Sequence, residues 1–148
     1  MAPETPLQVL LIDDDPVLLQ TLTDALDLYG FQTLTAASGA EGLEQVIAHE
    51  PACVVVDIRM PGINGYQFVR ALRGDPSTAA IPIVILSALA QEHEQLAGML
   101  TGADAYLLKP VGISELVTVI TEAISSSAEA REQRRRRLLE TPEEARNE

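Results

Sequence analysis

Apolar residues along this chain follow two alternating rhythms. Residues 7–12, 52–56 and 81–86 are short, nearly continuous runs of Leu, Ile, Val and Ala, the pattern of strands buried on both faces of a sheet. Residues 31–36 and 105–108 are shorter, more mixed strand candidates, and Asp104 and Tyr106 suit the last to a sheet edge. Between the strands the spacing turns helical. Leu18, Leu22, Ala25, Leu26 and Tyr29 predict a helix that starts at Pro16 and is closed by Gly30. Ser38 and Glu41 have capping-box spacing and open a second helix burying Leu43, Val46 and Ile47, which Pro51 stops. Phe68, Val69 and Leu72 mark a third helix over 66–73, after a loop rich in Pro and Gly. A fourth helix is expected over 91–100. Ile113, Leu116, Val117, Ile120 and Ile124 mark a fifth.

Five strand–helix units predict a parallel sheet covered on both faces, a doubly wound three-layer α/β sandwich. If the fold is flavodoxin-like, the strand order is 2-1-3-4-5. The boundaries that follow are a tail over 1–6, one domain over 7–125 and a charged, helical extension over 126–148.

Composition narrows the function. The 148 residues suffice for one full core, which must be aliphatic because aromatics are only 3% and Trp is absent. The single cysteine, Cys53, excludes an internal disulfide and a Cys-rich metal site. Apolar runs are too short to span a bilayer, and the first residues lack a basic flank and apolar stretch, so a cytoplasmic protein without membrane contact is expected. The net charge is −12, and residues 1–124 carry all of the excess, with sixteen acidic against four basic side chains. Nucleic-acid binding by this chain is therefore not expected. Residues 125–148 are balanced, six of each sign. The four arginines at 134–137 are diluted by Glu129, Glu132 and Glu140. They read as a solvated extension, with a linker or dimerising coil as the sharper alternative.

The chemistry lies where the strands end. The first ends at Asp13 and Asp14, the third at Asp57, the fourth at Ser87 and the fifth at Lys109, the only lysine. In open parallel sheets functional groups gather beyond these carboxyl ends. Carboxylates held close together repel unless a cation neutralises them. Oxygen ligands without His or Cys select a hard ion, magnesium being the physiological candidate. Asp57 then stands as a nucleophile able to form an acyl phosphate, with Ser87 and Lys109 placed to contact phosphoryl oxygens. Each residue also has a plain alternative: an acid capping a helix, a strand-end hydroxyl, a surface lysine.

Four segments, IDDDP at 12–16, VVDIRMPGINGYQ at 55–67, VILSA at 84–88 and YLLKP at 106–110, together resemble the response-regulator receiver domain of two-component signalling, the CheY-like superfamily. The resemblance covers roughly 7–125. It implies a phosphoprotein in which Asp57 accepts a phosphoryl group from a sensor histidine kinase or histidine phosphotransfer protein. It implies Mg2+ held by Asp13, Asp14, Asp57 and the backbone carbonyl of Arg59, and it leaves Asp15 outside the site. Ser87 and Lys109 would contact the phosphoryl group, Ser87 and Tyr106 would form the switch, and the Lys109–Pro110 bond would be cis. The readout would be a downstream protein or self-association through the surface of the fourth helix, fifth strand and fifth helix. Leu89 would hinder the hydrolytic water and slow self-dephosphorylation, while His49 and His93 are expected at the surface.

On this reading the protein is not an enzyme beyond slow self-phosphorylation and self-dephosphorylation. One alternative is an aspartyl-phosphate phosphohydrolase, but those need an acid two residues after the nucleophile, where this chain has Arg59. Another is the amino-terminal receiver of a longer, DNA-binding regulator. Flavin binding fits poorly, because acids after the first strand would repel a cofactor phosphate.

Overall fold

A computed structural model describes residues 6–88, 91, 97, 100–126, 133 and 136. Five strands, β1 (Gln8–Ile12), β2 (Gln32–Ala36), β3 (Cys53–Val56), β4 (Ile83–Ser87) and β5 (Ala105–Leu108), form one sheet. All neighbours are parallel, as the alternation of elements predicts, and the order β2-β1-β3-β4-β5 is the one expected of a flavodoxin-like fold. Four helices are described in full: α1 (Pro16–Leu28), α2 (Gly39–His49), α3 (Gly65–Gly74) and α4 (Ile113–Ser125), the last being the fifth of the sequence reading. The helix expected over 91–100 lies mostly outside the described residues, as do Leu89, His93 and nearly all of the extension. Ala97 and Leu100 are helical, and Thr101 N–H donates to the Ala97 carbonyl at 3.1 Å. Among the described residues no helix is long and apolar enough to cross a membrane.

Three of the four helices begin at a side-chain cap, while α4 follows Gly112 without one. The Asp15 carboxylate accepts the Val17 and Leu18 N–H groups at 3.0 and 3.2 Å, which leaves this acid committed to α1. Ser38 Oγ accepts the Glu41 N–H, while the Glu41 carboxylate reaches back to the Ala37 N–H rather than to that of Ser38. Asn64 and Gln67 form a full capping box, both arms 2.9 Å. The α1 end is tied off by Gly30 at φ 87°, a left-handed position suited to glycine.

The two faces of the sheet are covered by different helices. Leu10, Ile12, Val54, Val56, Ile83 and Ile85 pack towards α2 and α3, meeting Val46, Phe68, Val69 and Leu72. The alternate residues Val9, Leu11, Cys53, Val55, Val84 and Leu86 pack towards α1 and α4, meeting Leu22, Leu26, Leu116 and Ile120. Cys53 is buried there as a small apolar residue. Two helix faces differ from the expectation. Leu19, not Leu18 or Tyr29, completes the buried stripe of α1, and Tyr29 is half exposed. Ile47 is 76% exposed, and α2 buries Gly39 and Gly42 instead. A Cβ on Gly42 would collide with Ile12 Cδ1 of β1 and one on Gly39 would stand 3.0 Å from Ile63, so the α2 backbone sits close against both.

Candidate metal and phosphoryl site

Alternation along the strands decides which side chains meet at the carboxyl rim. In β1, β3 and β5 the residues facing α1 and α4 are Val9 and Leu11, Cys53 and Val55, Ala105 and Leu107. Two residues further along each strand direction stand Asp13, Asp57 and Lys109. These three converge. The Lys109 Nζ donates to Asp13 Oδ2 at 2.7 Å and lies 3.5 Å from Asp57 Oδ2. The other oxygens are held from the backbone: Asp13 Oδ1 accepts the Asp15 N–H and Asp57 Oδ1 accepts the Ile58 N–H, both at 2.9 Å. Asp14 is exposed, yet it offers a carboxylate oxygen within 4.8 Å of oxygens of Asp13 and Asp57. Three acids thus face one ammonium.

Asp13 and Asp57 are buried, and a cavity of about 10 Å³ behind them is walled by Leu19, Leu22, Val55 and Leu86. Burial is the largest influence on Asp57 and raises its pKa above the ordinary 3.8. Lys109 and the Ile58 N–H oppose this, the Asp13 charge reinforces it, and the net direction is upward. For Lys109, burial works against the charge, but the Asp13 hydrogen bond and the two carboxylates outweigh it and raise the pKa. The lysine is therefore firmly cationic.

The remaining residues of the sequence reading are placed around this core. Ser87, the buried last residue of β4, accepts the Lys109 N–H on its backbone carbonyl at 2.8 Å, which ties the ends of β4 and β5 together. Tyr106 pairs with Ile85 and packs against the core on the α2–α3 face, half buried. Ser87 follows Ile85 by two residues and shares that face, opposite the one from which Asp57 and Lys109 approach. Arg59 is exposed on the loop leaving β3. The Lys109–Pro110 bond is cis. His49 is exposed at the end of α2.

One supporting residue was legible only as a turn signal. A Cβ on Gly65 would stand 2.5 Å from the Asp57 carbonyl oxygen and 2.7 Å from Ile58 Cα. Only glycine lets α3 start this close beneath the Asp57 backbone, and the Gly65 N–H donates to the Ile58 carbonyl at 2.9 Å. The Asn64-Gly65 dipeptide marks a turn without showing what it abuts.

Comparison with known proteins decides the family. Residues 9–121 match the description "Response regulator receiver domain". The chain belongs to the response regulator receiver family. This receiver is 36% identical over 118 residues to protein PilH of Pseudomonas aeruginosa, covering 80% of this chain and 98% of PilH. It is 40% identical over 110 residues to the transcriptional regulatory protein PrrA of Mycobacterium tuberculosis, covering 74% of this chain but only 46% of PrrA. The chain thus spans nearly all of one relative and about half of the other. Among solved structures it is similar to the receiver domain of the Francisella response regulator 1452, with TM-score 0.75 and 30% identity over 81% of this chain and 97% of that one. Chemotaxis response regulator CheY4 of Vibrio cholerae matches with TM-score 0.75 and 27% identity, covering 80% and 99%. These receivers favour the phosphorelay reading over the phosphohydrolase one.

Proposed function

We propose that this receiver takes a phosphoryl group on Asp57 from a histidine kinase or phosphotransfer protein, with Mg2+ in the acidic cluster. The observation that supports it most directly is the charge balance at the rim: three carboxylates against the single Lys109 ammonium, which leaves room for a divalent cation. The donors are all oxygen, the set a hard cation prefers. Asp13, Asp14 and Asp57 would hold the ion, with the Arg59 backbone carbonyl as a further ligand. When bound, Mg2+ offsets the charge that develops on the phosphoryl oxygens.

The protein's own groups act as follows. A carboxylate oxygen of Asp57 attacks phosphorus, a P–O bond forms, and the P–N bond of the donor phosphohistidine breaks with its electron pair returning to the imidazole. The Ile58 N–H, donating to Oδ1, fixes the carboxylate plane for that approach. Lys109 is held between Asp13 and Asp57 and can pair with a phosphoryl oxygen as a compact point charge. Catalysis here is mostly positioning and charge neutralisation, not turnover of a substrate, so we class the protein as a phosphoacceptor and not an enzyme.

Phosphorylation then changes the rim charge. Ser87 and Tyr106 lie on one face of adjacent strands, β4 and β5, which supports a relay from the rim towards the surface of the β5–α4 region. A protein partner or a second copy reads that surface, by population shift between two conformations. We place this exchange in the cytoplasm. The sequence balance of −12 supports a role without nucleic-acid contact by this chain.

Acetyl phosphate with Mg2+ tests the reading, using intact mass on wild type and Asp57→Asn. Modification of the wild type alone is the expected result. Modification that persists in the variant would place the nucleophile elsewhere, and modification that ignores Mg2+ withdrawal would remove the metal from the account.

A further inference from the structure

At the end of the sheet opposite the acidic rim, one guanidinium gathers four acceptors from two other chain segments. Arg73, in the last turn of α3, donates from Nε to the Gly102 carbonyl at 2.9 Å. Its Nη1 donates to the Ala79 and Ile81 carbonyls at 3.1 and 2.6 Å, and its Nη2 to Asp104 Oδ2 at 3.0 Å. The pair is well shielded, with side chains 13% and 4% exposed. The same Asp104 oxygen accepts the Ile83 N–H at 2.8 Å, and the Asp104 N–H donates to the Ile83 carbonyl at 2.8 Å. Arg73 thereby aims the carboxylate that fastens the start of β5 to the start of β4. Gly102, at φ 110°, brings its chain against the Arg73 stem, where a Cβ would meet Arg73 Cγ at 3.0 Å.

What this clamp controls is the position of β5. That strand has four residues, lies at the sheet edge and, among the described residues, pairs with β4 alone. Its far end carries Lys109, whose 2.7 Å bond to Asp13 has little tolerance. A slip of one residue would shift Lys109 by about 3.3 Å and turn it to the other face of the sheet. The edge strand is thus pinned at both ends, by Asp104 to Ile83 and by the Lys109 N–H to the Ser87 carbonyl.

We infer that Arg73 is a positioning residue for phosphoryl acceptance: through Asp104 and the register of β5 it sets Lys109 against Asp13 and Asp57. The inference rests on the proposed role of Lys109 at Asp57. A double-mutant cycle separates the two claims, with initial rates of Mg2+-dependent modification by acetyl phosphate read by mass. Arg73→Ala is expected to slow modification about fivefold, while in a Lys109→Ala background the same change has an effect below about twofold. Arg73→Lys, which keeps the charge without the planar fork, should behave as Arg73→Ala. Asp104→Asn, which keeps a side-chain acceptor for Ile83, gives a second entry to the cycle if Arg73→Ala folds poorly. Equal slowing by Arg73→Ala in both backgrounds, or none in either, overturns the inference and leaves the site reading intact. A wild-type rate in Lys109→Ala alone overturns the site reading, and this inference with it.

Discussion

Two charged clusters occupy opposite ends of one sheet, and they differ in how fully their charge is balanced. At the amino ends of β4 and β5, Arg73 pairs with Asp104 and donates to three backbone carbonyls. At the carboxyl ends, Lys109 faces Asp13 and Asp57 together, with Asp14 close by. The first pairs one cation with one anion, and backbone groups join it. The second holds surplus negative charge in a partly desolvated place, where burial raises the pKa of Asp57. The same kinds of interaction therefore build a fastening in one place and a receptive site in the other. The difference lies in stoichiometry and burial.

The sharpest way to break this contrast is to remove each cation in turn. Arg73→Ala should cost about 3 kcal/mol of folding stability, since it leaves a buried carboxylate and backbone acceptors unpaired; urea unfolding measures it, and a loss under about 1 kcal/mol would deny the fastening role. Lys109→Ala should show the opposite emphasis, slowing modification of Asp57 about 10²-fold, the scale for losing one charge-stabilising group. Its stability cost should stay smaller than that of Arg73→Ala, because Lys109 is 23% exposed and partly solvated.

Smaller effects sharpen the account of the acidic end. Mg2+ at tenfold excess over its Kd should stabilise the fold by about 1.4 kcal/mol, with the gain lost in Asp13→Ala. A gain of equal size in that variant would place the ion away from the rim. Without Mg2+, Asp57→Asn should raise stability at neutral pH by about 1 kcal/mol. The sign follows from a folded-state pKa above the ordinary 3.8: the fold favours protonated Asp57, so this group's stabilising share is complete below 3.8 and lost as pH rises through the folded value. The advantage of the variant should therefore fade on acidification, and pH-dependent denaturation of the pair checks it.

Much of this was legible along the chain because the signals are local. Strand type, the cap at Ser38 and the turn before α3 depend on neighbours within a few residues. Two-residue alternation carries further. It puts Asp13, Asp57 and Lys109 in line with the residues that face α1 and α4, so their meeting follows once the strand order is known. Packing detail was less legible. Ile47 was expected inside and lies outside, while Gly42 faces the sheet, where a Cβ would collide with Ile12 Cδ1.

The sequence by itself determined a parallel sheet and the chemistry at the carboxyl ends of its strands, because hydrophobic period and strand-end residues are short-range properties. The strand order followed only from likeness to a flavodoxin-like fold. Only the tertiary structure decided that Lys109 shares itself between Asp13 and Asp57, that Gly65 underlies the Asp57 backbone, and that Arg73 fastens Asp104. Arg73 and Asp104 are 31 positions apart, and nothing in the spacing of either announces the other. Charges separated along the chain acquire a definite partner only when packing fixes their distance and excludes the water that would otherwise screen them.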